Sequence, residues 1–560
     1  MTKYTLFFTI FFLINIFNLA YSQENNNFYK IKIEINSQQR IAYAEAEIDI
    51  YNSSNINLNS LYFNLGLNNN YGTKINIKEV SNSNNKKLQG YFYKYEYLDD
   101  MKEDITIYKV DLDKPLESNS FIKLNFIYEI TNFSKIDEII FFDDSIYDDY
   151  NGSWYPRLIN FRNNLWKKKD FVNNNYEVEV IVNSNENVVS SAFEIENQLL
   201  KLTQQKRYLY KINNSKNFSL AISNYIVPEN RLIQNKINLK VYFKNNKGTK
   251  WYKKKYEIAE DIINFYYKIF DFYPYNQLSI LPGQGNIQGG YSNSNFIVLN
   301  DYMENFKFET DVEKYISFYL SYFIAQQYTS FCINEISDNP KWISHGLALY
   351  LSYLYLKEKK IKDDYIREII SYYINASKSG FNTQIIRDYE EFKYGLFDWK
   401  NIIEKSKSFE IFKLLENIIG KKTFLKIILD FFKDYKNKSI NTEIFTDFLE
   451  AKSNKNLKDF FYNWLYTSNY IDYAVTKVIQ EKKNNKFKVK IYIKKLGQIE
   501  SQMPILITLR SGAKVFNFYD GKQKEAELIY EYNEPVTYVE IDYFNNIPDI
   551  NKSNNKIGVQ

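Results

Sequence analysis

The feature that most restricts the fold is a strict alternation of apolar and polar residues, recurring in short runs from Phe28 to about Tyr225. The clearest runs are residues 29–35, 44–50 and 176–182, and one further strand is predicted beyond this region at residues 237–243. A period of two places successive side chains on opposite faces of a strand, and Asn, Ser and Asp turns separate the runs. We therefore predict an antiparallel sheet system with one buried face, followed by a boundary at residues 228–230.

The period then becomes helical. From Lys254 to Phe270 the apolar residues fall mostly three or four positions apart, which is typical of an amphipathic helix. Further helices are predicted at about residues 311–329, 344–358, 363–378, 407–419, 422–436, 441–451 and 456–467. Alternation returns after Tyr473, with strands predicted at residues 487–493 and 536–541. This order predicts an α+β multidomain chain with an N-terminal antiparallel β-sandwich, a mixed then helical domain and a small C-terminal β-sandwich.

The N-terminus predicts a secretory signal peptide. Lys3 precedes an apolar run from Tyr4 to Ala20, and Ala20 and Ser22 are small residues at the −3 and −1 positions of a cleavage site after Ser22. The alternative interpretation is an uncleaved membrane anchor. We accordingly divide the chain into a signal peptide (1–22), an N-terminal domain (23–228), a central domain (229–470) and a C-terminal domain (471–560). With cleavage no membrane span is expected, and the predicted location is periplasmic or extracellular in a bacterium.

Two residue counts exclude whole classes of site. Cys332 is the only cysteine, which excludes an intrachain disulfide and a cysteine-rich zinc site. His345 is the only histidine, which excludes any site that needs two imidazoles. The net charge of +5 on 560 residues gives no reason to expect a nucleic-acid partner.

Several short segments resemble, in order, those of the zinc aminopeptidases of the aminopeptidase N type, peptidase family M1. They are Gly-Ser-Trp-Tyr-Pro at 152–156, Asn-Phe-Ser-Leu-Ala-Ile-Ser at 217–223, Phe-Tyr-Pro-Tyr at 272–275, Phe-Phe-Tyr-Asn-Trp-Leu at 460–465 and the Asp/Asn-rich tail from residue 538 to 555. The resemblance covers essentially the whole chain after the signal peptide. It implies a thermolysin-like central domain with a zinc-dependent peptidase site.

The active-site motifs depart from the family pattern. The family places His-Glu-x-x-His on one helix and a Glu ligand on the next, which together hold zinc and a general base. Residues 342–348 (Trp-Ile-Ser-His-Gly-Leu-Ala) are similar to the second element, and the family spacing then puts Tyr322 and Gln326 at the two His positions. Phe323 takes the general-base position and His345 the Glu-ligand position. Because a phenyl ring cannot accept a proton and these side chains cannot supply three zinc ligands, we expect neither catalysis by this mechanism nor a zinc cofactor.

Two further family elements are altered. The loop that binds the substrate amine is most similar here to Gly289, Gly290, Tyr291, Ser292 and Asn293, with Ser292 in the place of the family Glu. Residues 283–286 offer a competing registration that also lacks a Glu. Lys405 falls where the family has its transition-state Tyr, and a lysine there has neither metal nor base to assist.

Other patterns have structural interpretations beside the functional ones. His345 is interpreted as a polar residue lining a former pocket rather than as a residual ligand or base, and a Cys332/His345 dyad is the alternative for a nucleophile. Aromatic residues that recur between Tyr315 and Tyr328 predict core packing rather than a ligand-stacking surface. The glycines at 283–290 match no phosphate-binding fingerprint. Lysine clusters at 253–255 and 357–360 predict solvated helix faces.

Two functions follow from these observations. The first is a secreted pseudopeptidase, an aminopeptidase-like protein that binds a peptide or protein without catalysis, for instance by pairing an extended peptide with a sheet edge. The second is an active hydrolase that uses different chemistry in the same cleft.

Overall fold

The computed structural model describes most of the chain from Asn26 onward. The described residues are 26–69, 72–97, 100–133, 135–136, 139–142, 153–167, 172–224, 226–244, 250–283, 289–301, 308–336, 341–362, 364–387 and 400–559. The predicted signal peptide lies outside them. The fold is α+β and multidomain, with several β-sheets, a central helical region and a C-terminal β region.

The chain divides into two compact units. The first comprises Met1–Tyr256 and Tyr275–Asn305, and the second Glu257–Pro274 and Phe306–Gln560. The predicted division at 228 and 470 stays a prediction. Residues 228–230, where we placed a boundary, form part of a strand in the first unit.

The alternating segments form strands, as predicted. The first seventeen are β1 (Phe28–Asn36), β2 (Ile41–Tyr51), β3 (Leu58–Asn64), β4 (Lys74–Asn82), β5 (Gln89–Tyr97), β6 (Asp100–Leu116), β7 (Phe121–Thr131), β8 (Lys135–Ile136), β9 (Ile139–Phe142), β10 (Arg157–Leu158), β11 (Asn160–Arg162), β12 (Leu165–Lys167), β13 (Asn174–Asn183), β14 (Asn187–Ser190), β15 (Phe193–Leu200), β16 (Gln205–Ser215) and β17 (Leu220–Ser223). In β1 the side chains of Tyr29, Ile31, Ile33 and Ile35 are buried, and Lys30, Lys32 and Glu34 are exposed.

The largest sheet has the order β15-β16-β13-β1-β2-β7-β4. All of its pairings are antiparallel except β1 with β13, which runs parallel from Phe28 opposite Asn175 to Glu34 opposite Ile181. The prediction of an antiparallel system was wrong for this pair, because alternation fixes which face is buried and carries no information about strand direction.

Two motifs of the sequence meet in the core of this region. Trp154 and Tyr155 are fully buried, and the Trp154 indole donates to the Phe218 carbonyl at 2.8 Å. The Tyr155 hydroxyl lies 3.1 Å from that of Tyr176 on β13. These contacts join residues 153–156 to residues 217–223 in one aromatic cluster.

A second, mixed sheet completes the first unit. Its strands are β18 (Ile226–Ile233), β19 (Ile237–Lys244), β20 (Gln277–Gly283), β21 (Gly290–Asn293) and β22 (Phe296–Asn300). The order is β18-β19-β20-β22-β21, which leaves β21 at one end. An added Cβ on Gly290, whose φ is +108°, would lie 1.9 Å from the Val298 carbonyl oxygen, so only glycine fits where β21 meets β22.

Eight α-helices lie within the described residues, close to the predicted positions. They are α1 (Lys250–Phe270), α2 (Glu309–Gln326), α3 (Trp342–Glu358), α4 (Asp364–Lys378), α5 (Ser408–Ile419), α6 (Lys421–Asp434), α7 (Thr442–Ser453) and α8 (Lys458–Leu465). Helix α7 shows how capping residues mark the ends of a helix in the sequence. The Asn441 side chain accepts a hydrogen bond from the Ile444 N–H at its start, and Asn454 adopts a left-handed conformation at its end.

Two π-helical segments were not predicted. The first, Gln327–Cys332, continues α2, and the second, Lys400–Lys407, leads into α5. Two short strands also lie in the helical region, β23 (Asn334–Glu335) and β24 (Ser439–Ile440), and they pair in parallel.

The C-terminal β region follows α8. Its strands are β25 (Tyr473–Lys483), β26 (Lys486–Lys495), β27 (Met503–Leu509), β28 (Lys514–Tyr519), β29 (Glu525–Tyr532), β30 (Val536–Ile541) and β31 (Lys556–Gly558). They form two sheets, ordered β25-β26-β29 and β28-β27-β30-β31. None of the helices in the described residues combines the length and the apolar character that crossing a membrane requires.

Candidate active site

Helices α2 and α3 carry the residues that the sequence places at the site, and small side chains let these helices pack closely. The Ser321 hydroxyl of α2 and the Ser352 hydroxyl of α3 are hydrogen-bonded at 2.6 Å. Gly346 on α3 faces α5, where an added Cβ would lie 2.5 Å from the Ser408 Cβ. His345 is next to this glycine, so its position depends on a close contact between α3 and α5.

His345 has partners on both ring nitrogens. Its Nδ1 shares a hydrogen bond with the Tyr322 hydroxyl at 3.0 Å, and its Nε2 lies 3.6 Å from Oε2 of Glu404, at ion-pair distance. The imidazole and the phenol ring are buried, and the Glu404 side chain is 17% exposed. A carboxylate beside Nε2 favours a proton on that nitrogen, which leaves Nδ1 to accept from the Tyr322 hydroxyl.

The Tyr322 hydroxyl holds its proton firmly. Burial raises its pKa well above the usual range, the negative charge of Glu404 raises it further, and a hydrogen bond from Gln326 opposes the shift in part. A buried phenol of this kind donates a hydrogen bond and does not serve as an anionic metal ligand near neutral pH.

The other two α2 residues that the resemblance singled out lie beside Tyr322. Gln326 has no exposed surface and its amide interacts with the Tyr322 hydroxyl. Phe323 is 4% exposed, and its ring centroid is 5.8 Å from that of Tyr322. Tyr322, Phe323, Gln326 and His345 therefore converge within one buried cluster.

Lys405 also reaches this cluster. Its Nζ lies 6.0 Å from the centroid of the Tyr322 ring and donates to the Asn401 side chain at 3.0 Å. The second π-helical segment thus supplies two neighbours, Glu404 to His345 and Lys405 to Tyr322.

Two carboxylates stand at the N-terminus of α3. Glu404 Oε1 accepts from the Lys341 N–H at 3.0 Å, and Glu335 accepts from the N–H groups of Ile343 and Ser344 at 3.3 and 2.9 Å. These N–H groups have no acceptor within the helix, and the positive end of the helix dipole favours a negative charge there. Burial nevertheless raises the pKa of Glu335, and the hydrogen bonds from Ser344 oppose that effect. Glu404 therefore both orients His345 and caps α3.

The family resemblance implies a catalytic zinc at this cluster, and the side chains do not fit it. Tyr322 is a protonated phenol, Gln326 offers an amide, and both nitrogens of His345 are engaged by protein groups. Within the described residues, no group of three or more His, Cys, Asp or Glu side chains is arranged to hold a metal ion.

The segment from Gly289 to Asn293 lies in the first unit, at the edge of the mixed sheet. Ser292 and Asn293 are fully buried, and the Asn293 amide donates to the Ser219 hydroxyl at 3.0 Å. Tyr291 is half-buried, while Gly289 and Gly290 are buried. The position expected for a substrate-binding carboxylate is thus a serine hydroxyl inside the packing of this unit.

The exposed fractions of the side chains test the structural interpretations of the aromatic stripe, the lysine clusters and Cys332. Every aromatic residue of the predicted stripe is buried, which confirms core packing: Tyr315, Phe318, Tyr319, Tyr322, Phe323 and Tyr328. The lysine cluster at 357–360 is exposed, whereas Lys255 is 5% exposed, so the prediction of a solvated face was wrong at that residue. Cys332 is 1% exposed in the first π-helical segment, and His345, the base that a dyad would require, already faces Tyr322 and Glu404.

Sequence reasoning missed Glu404. It directly precedes Lys405, which the resemblance singled out, and it follows His345 by 59 positions in the sequence (404 − 345). The one available signal was chemical: a lone buried histidine is normally oriented by a carboxylate or carbonyl partner.

Comparisons with family models and with the curated proteins add no relative. No model of a known protein family matches the chain, and a search of the curated proteins finds no match either.

Proposed function

We propose that the protein is a secreted or periplasmic aminopeptidase-like protein that has lost the zinc site and binds a peptide or protein without hydrolysing it. The proposal includes the finer architecture implied by the resemblance. That architecture has an N-terminal antiparallel β-sandwich, a thermolysin-like α/β then helical domain and a small C-terminal β-sandwich.

The observation that carries the proposal is the chain of contacts from Tyr322 through His345 to Glu404. A residual metal ligand or a free general base needs an imidazole nitrogen directed at a metal or a substrate. Here both nitrogens are directed at protein groups, at 3.0 and 3.6 Å. Phe323, at the position of the family base, carries no group that could activate water.

The binding half of the proposal rests on the resemblance and on a mode of recognition that needs no catalytic group. An extended peptide can add to a sheet edge through main-chain hydrogen bonds, which need neither a metal nor an ionised side chain. Strand β21 does not supply that edge, because Ser292 and Asn293 have no exposed surface.

Restoring the family residues tests the registration of the site. The quadruple variant Tyr322→His, Phe323→Glu, Gln326→His and His345→Glu places two imidazoles four residues apart on α2 and a carboxylate opposite them on α3. We expect it to bind one zinc ion per chain, measured by elemental analysis after dialysis. The control, Phe323→His, Gln327→His and His345→Glu, keeps two imidazoles four residues apart but turns them to another face of the helix that α2 and the first π-helical segment form. It should take up no zinc. A folded quadruple variant without zinc would count against the registration.

The rival function is hydrolysis by a mechanism that does not use zinc. That mechanism would use the contacts of His345 with Tyr322 and Glu404. Tyr322, His345 and Glu404 form a hydroxyl, an imidazole and a carboxylate in series, an order that other hydrolases use to activate a nucleophile. Against this, burial holds the proton on Tyr322. A panel of aminopeptidase and esterase substrates with the unmodified protein decides between the two. Turnover that Glu404→Gln abolishes, in protein that remains folded, would overturn the binding proposal.

A further inference from the structure

Strand β28 is an exposed sheet edge with apolar side chains on its outer face. It pairs with β27 on one side and is the terminal strand of its sheet among the described residues. Phe518 is 71% exposed and Phe516 is 48% exposed. Phe544, 55% exposed, stacks on Phe516 at a centroid distance of 5.4 Å and extends the apolar surface.

Two other edge strands among the described residues carry features that discourage pairing, and the centre of β28 lacks them. Strand β29, the edge of the neighbouring sheet, alternates Glu525, Glu527 and Glu531 along its length. Strand β15 has an irregular register against β16 at residues 194–196. Strand β28 contains no proline, and its register against β27 is regular throughout. Charges, prolines and bulges usually prevent an edge strand from pairing with another strand. Because the centre of β28 has none of them, we expect another strand to pair with it.

The backbone of β28 presents its hydrogen-bonding groups at a defined set of residues. The Leu509 N–H donates to the Ala513 carbonyl at the hairpin, so the ladder to β27 continues at Val515 and Asn517. In an antiparallel strand the intervening residues direct their N–H and C=O groups to the other side. The groups of Lys514, Phe516 and Phe518 therefore point to the open edge.

A second copy of this strand matches that pattern. In antiparallel pairing of two β28 strands about a two-fold axis at Asn517, residue 517 of one copy lies opposite residue 517 of the other. Phe516 then lies opposite Phe518 of the partner copy, and both residues have outward-pointing backbone groups, so the pair exchanges two hydrogen bonds. Lys514 lies opposite Asp520 of the partner copy, and both of these side chains are exposed.

Shifting the axis by one residue removes this match. An axis at Phe516 places Lys514 opposite Phe518, and an axis at Phe518 places Lys514 opposite Lys522. Only the axis at Asn517 joins opposite charges at both ends and phenylalanines in the centre. Symmetric pairing of one surface with itself is the geometry of a two-fold dimer.

We propose that two copies of this protein associate through antiparallel pairing of their β28 strands about Asn517, with Lys514–Asp520 ion pairs at both ends of the seam. The two sheets become one continuous sheet across the axis. Phe516, Phe518 and Phe544 of both copies form an apolar cluster on its outer face.

Charge reversal tests both the interface and its register. In sedimentation equilibrium on the purified full chain, we expect reversible dimers, with Lys514→Glu or Asp520→Lys alone weakening association about tenfold, since each change creates two like-charge pairs. The double variant Lys514→Glu and Asp520→Lys should return the association constant to within about threefold of the original. Rescue of this kind requires the two residues to face each other across the seam.

A second pair of variants separates this surface from general surface hydrophobicity. Phe518→Ser should weaken association about tenfold, whereas Phe308→Ser, which changes a phenylalanine that is 70% exposed elsewhere in the second unit, should leave it unchanged. Near-ultraviolet circular dichroism establishes that each variant is folded. A monomer at every concentration, a dimer that ignores charge reversal, or a double variant without rescue would each overturn the proposal. So would a monomer that captures extended peptides on β28.

Discussion

Lys407 is a buried lysine held by main-chain oxygens. It has no exposed surface, and its Nζ donates to the carbonyls of Thr383 and Thr467 at 2.7 and 3.2 Å. Within the described residues it forms no ion pair, and burial lowers its pKa to about 7. A neutral amine still has two N–H donors, which is the number that the two carbonyls accept.

This lysine makes the stability of the protein depend on pH. Its folded pKa lies below that of an unfolded lysine, about 10.4, so between these values the unfolded chain binds a proton that the folded chain does not. The free energy of unfolding should therefore rise with pH between about 7 and 10, by up to about 1.4 kcal/mol per pH unit. Below about pH 7 this lysine is protonated in both states, so its contribution no longer changes with pH. Lys407→Met should remove this rise.

Urea unfolding at several pH values across this window measures the effect. The control is Lys421→Met, which changes an exposed lysine at the start of α6 and should leave the slope unaltered. An equal pH slope in Lys407→Met and the unmodified protein would show that Lys407 is charged in the folded state throughout.

Helical geometry puts Tyr322 and Gln326 on one face of a helix, and the motif spacing of the resembled family adds His345 to them. It could not reveal Glu404 or the burial of Lys407. Both depend on how distant segments pack, and the run Lys405-Ser406-Lys407 has the polar composition of a solvated segment.

Helix α3 shows how one element fixes the candidate site. Gly346 allows α3 to approach α5 so closely that an added Cβ would lie 2.5 Å from the Ser408 Cβ and 2.8 Å from its carbonyl carbon. The second π-helical segment immediately precedes Ser408 and carries Glu404. The contact between α3 and α5 and the contact between His345 and Glu404 are therefore coupled.

Gly346→Ala should destabilise the protein although alanine favours helices. The gain in helix propensity is about 1 kcal/mol, while overpacking against a backbone atom costs about 1–3 kcal/mol. We expect a net loss of up to about 2 kcal/mol in the free energy of unfolding, measured in urea. Gly558→Ala is the control, because nothing lies within 4 Å of its added Cβ and its effect should be close to zero. A stabilised Gly346→Ala variant would mean that α3 and α5 are further apart than described.

Periodicity predicted the eight α-helices and the six individually named strands to within a few residues, and the features that it did not predict have physical reasons. The buried helices α2 and α3 were recognisable by length and by the absence of breakers, and Asn441 and Asn454 mark the ends of α7. The π-helical segments were not recognisable, because a wider helical turn changes the register of side chains without a distinctive composition. Strand direction, as in the parallel pair of β1 and β13, depends on the connections between strands.

At the scale of the whole molecule, the fold is held without covalent cross-links. The single cysteine forms no disulfide and is buried. On the outer face of the largest sheet, cross-strand ion pairs such as Lys211 with Glu177 and Lys78 with Glu129 balance charge locally, and such exposed pairs contribute little stability individually. Stability must therefore come chiefly from the buried apolar residues of the two units.

Cys332 reports on the opening of the second unit. Because its side chain is 1% exposed, we expect a thiol reagent to modify the native protein far more slowly than the protein in urea, where one thiol per chain should react at once. The modification rate should rise with urea in parallel with unfolding measured by circular dichroism. Prompt modification of the native protein would contradict the described packing around the first π-helical segment. Unfolding with and without a reducing agent should coincide, which serves as the control.

The solitary histidine has a practical consequence for spectroscopy. In a protein prepared without a histidine tag, every imidazole nitrogen resonance arises from the ring between Tyr322 and Glu404. Its two nitrogen shifts distinguish the tautomers directly, and no assignment by mutagenesis is needed. The imidazole is thus a background-free probe of one buried contact. Its nitrogen shifts can report on the effect of an added peptide, a metal ion or a change of pH.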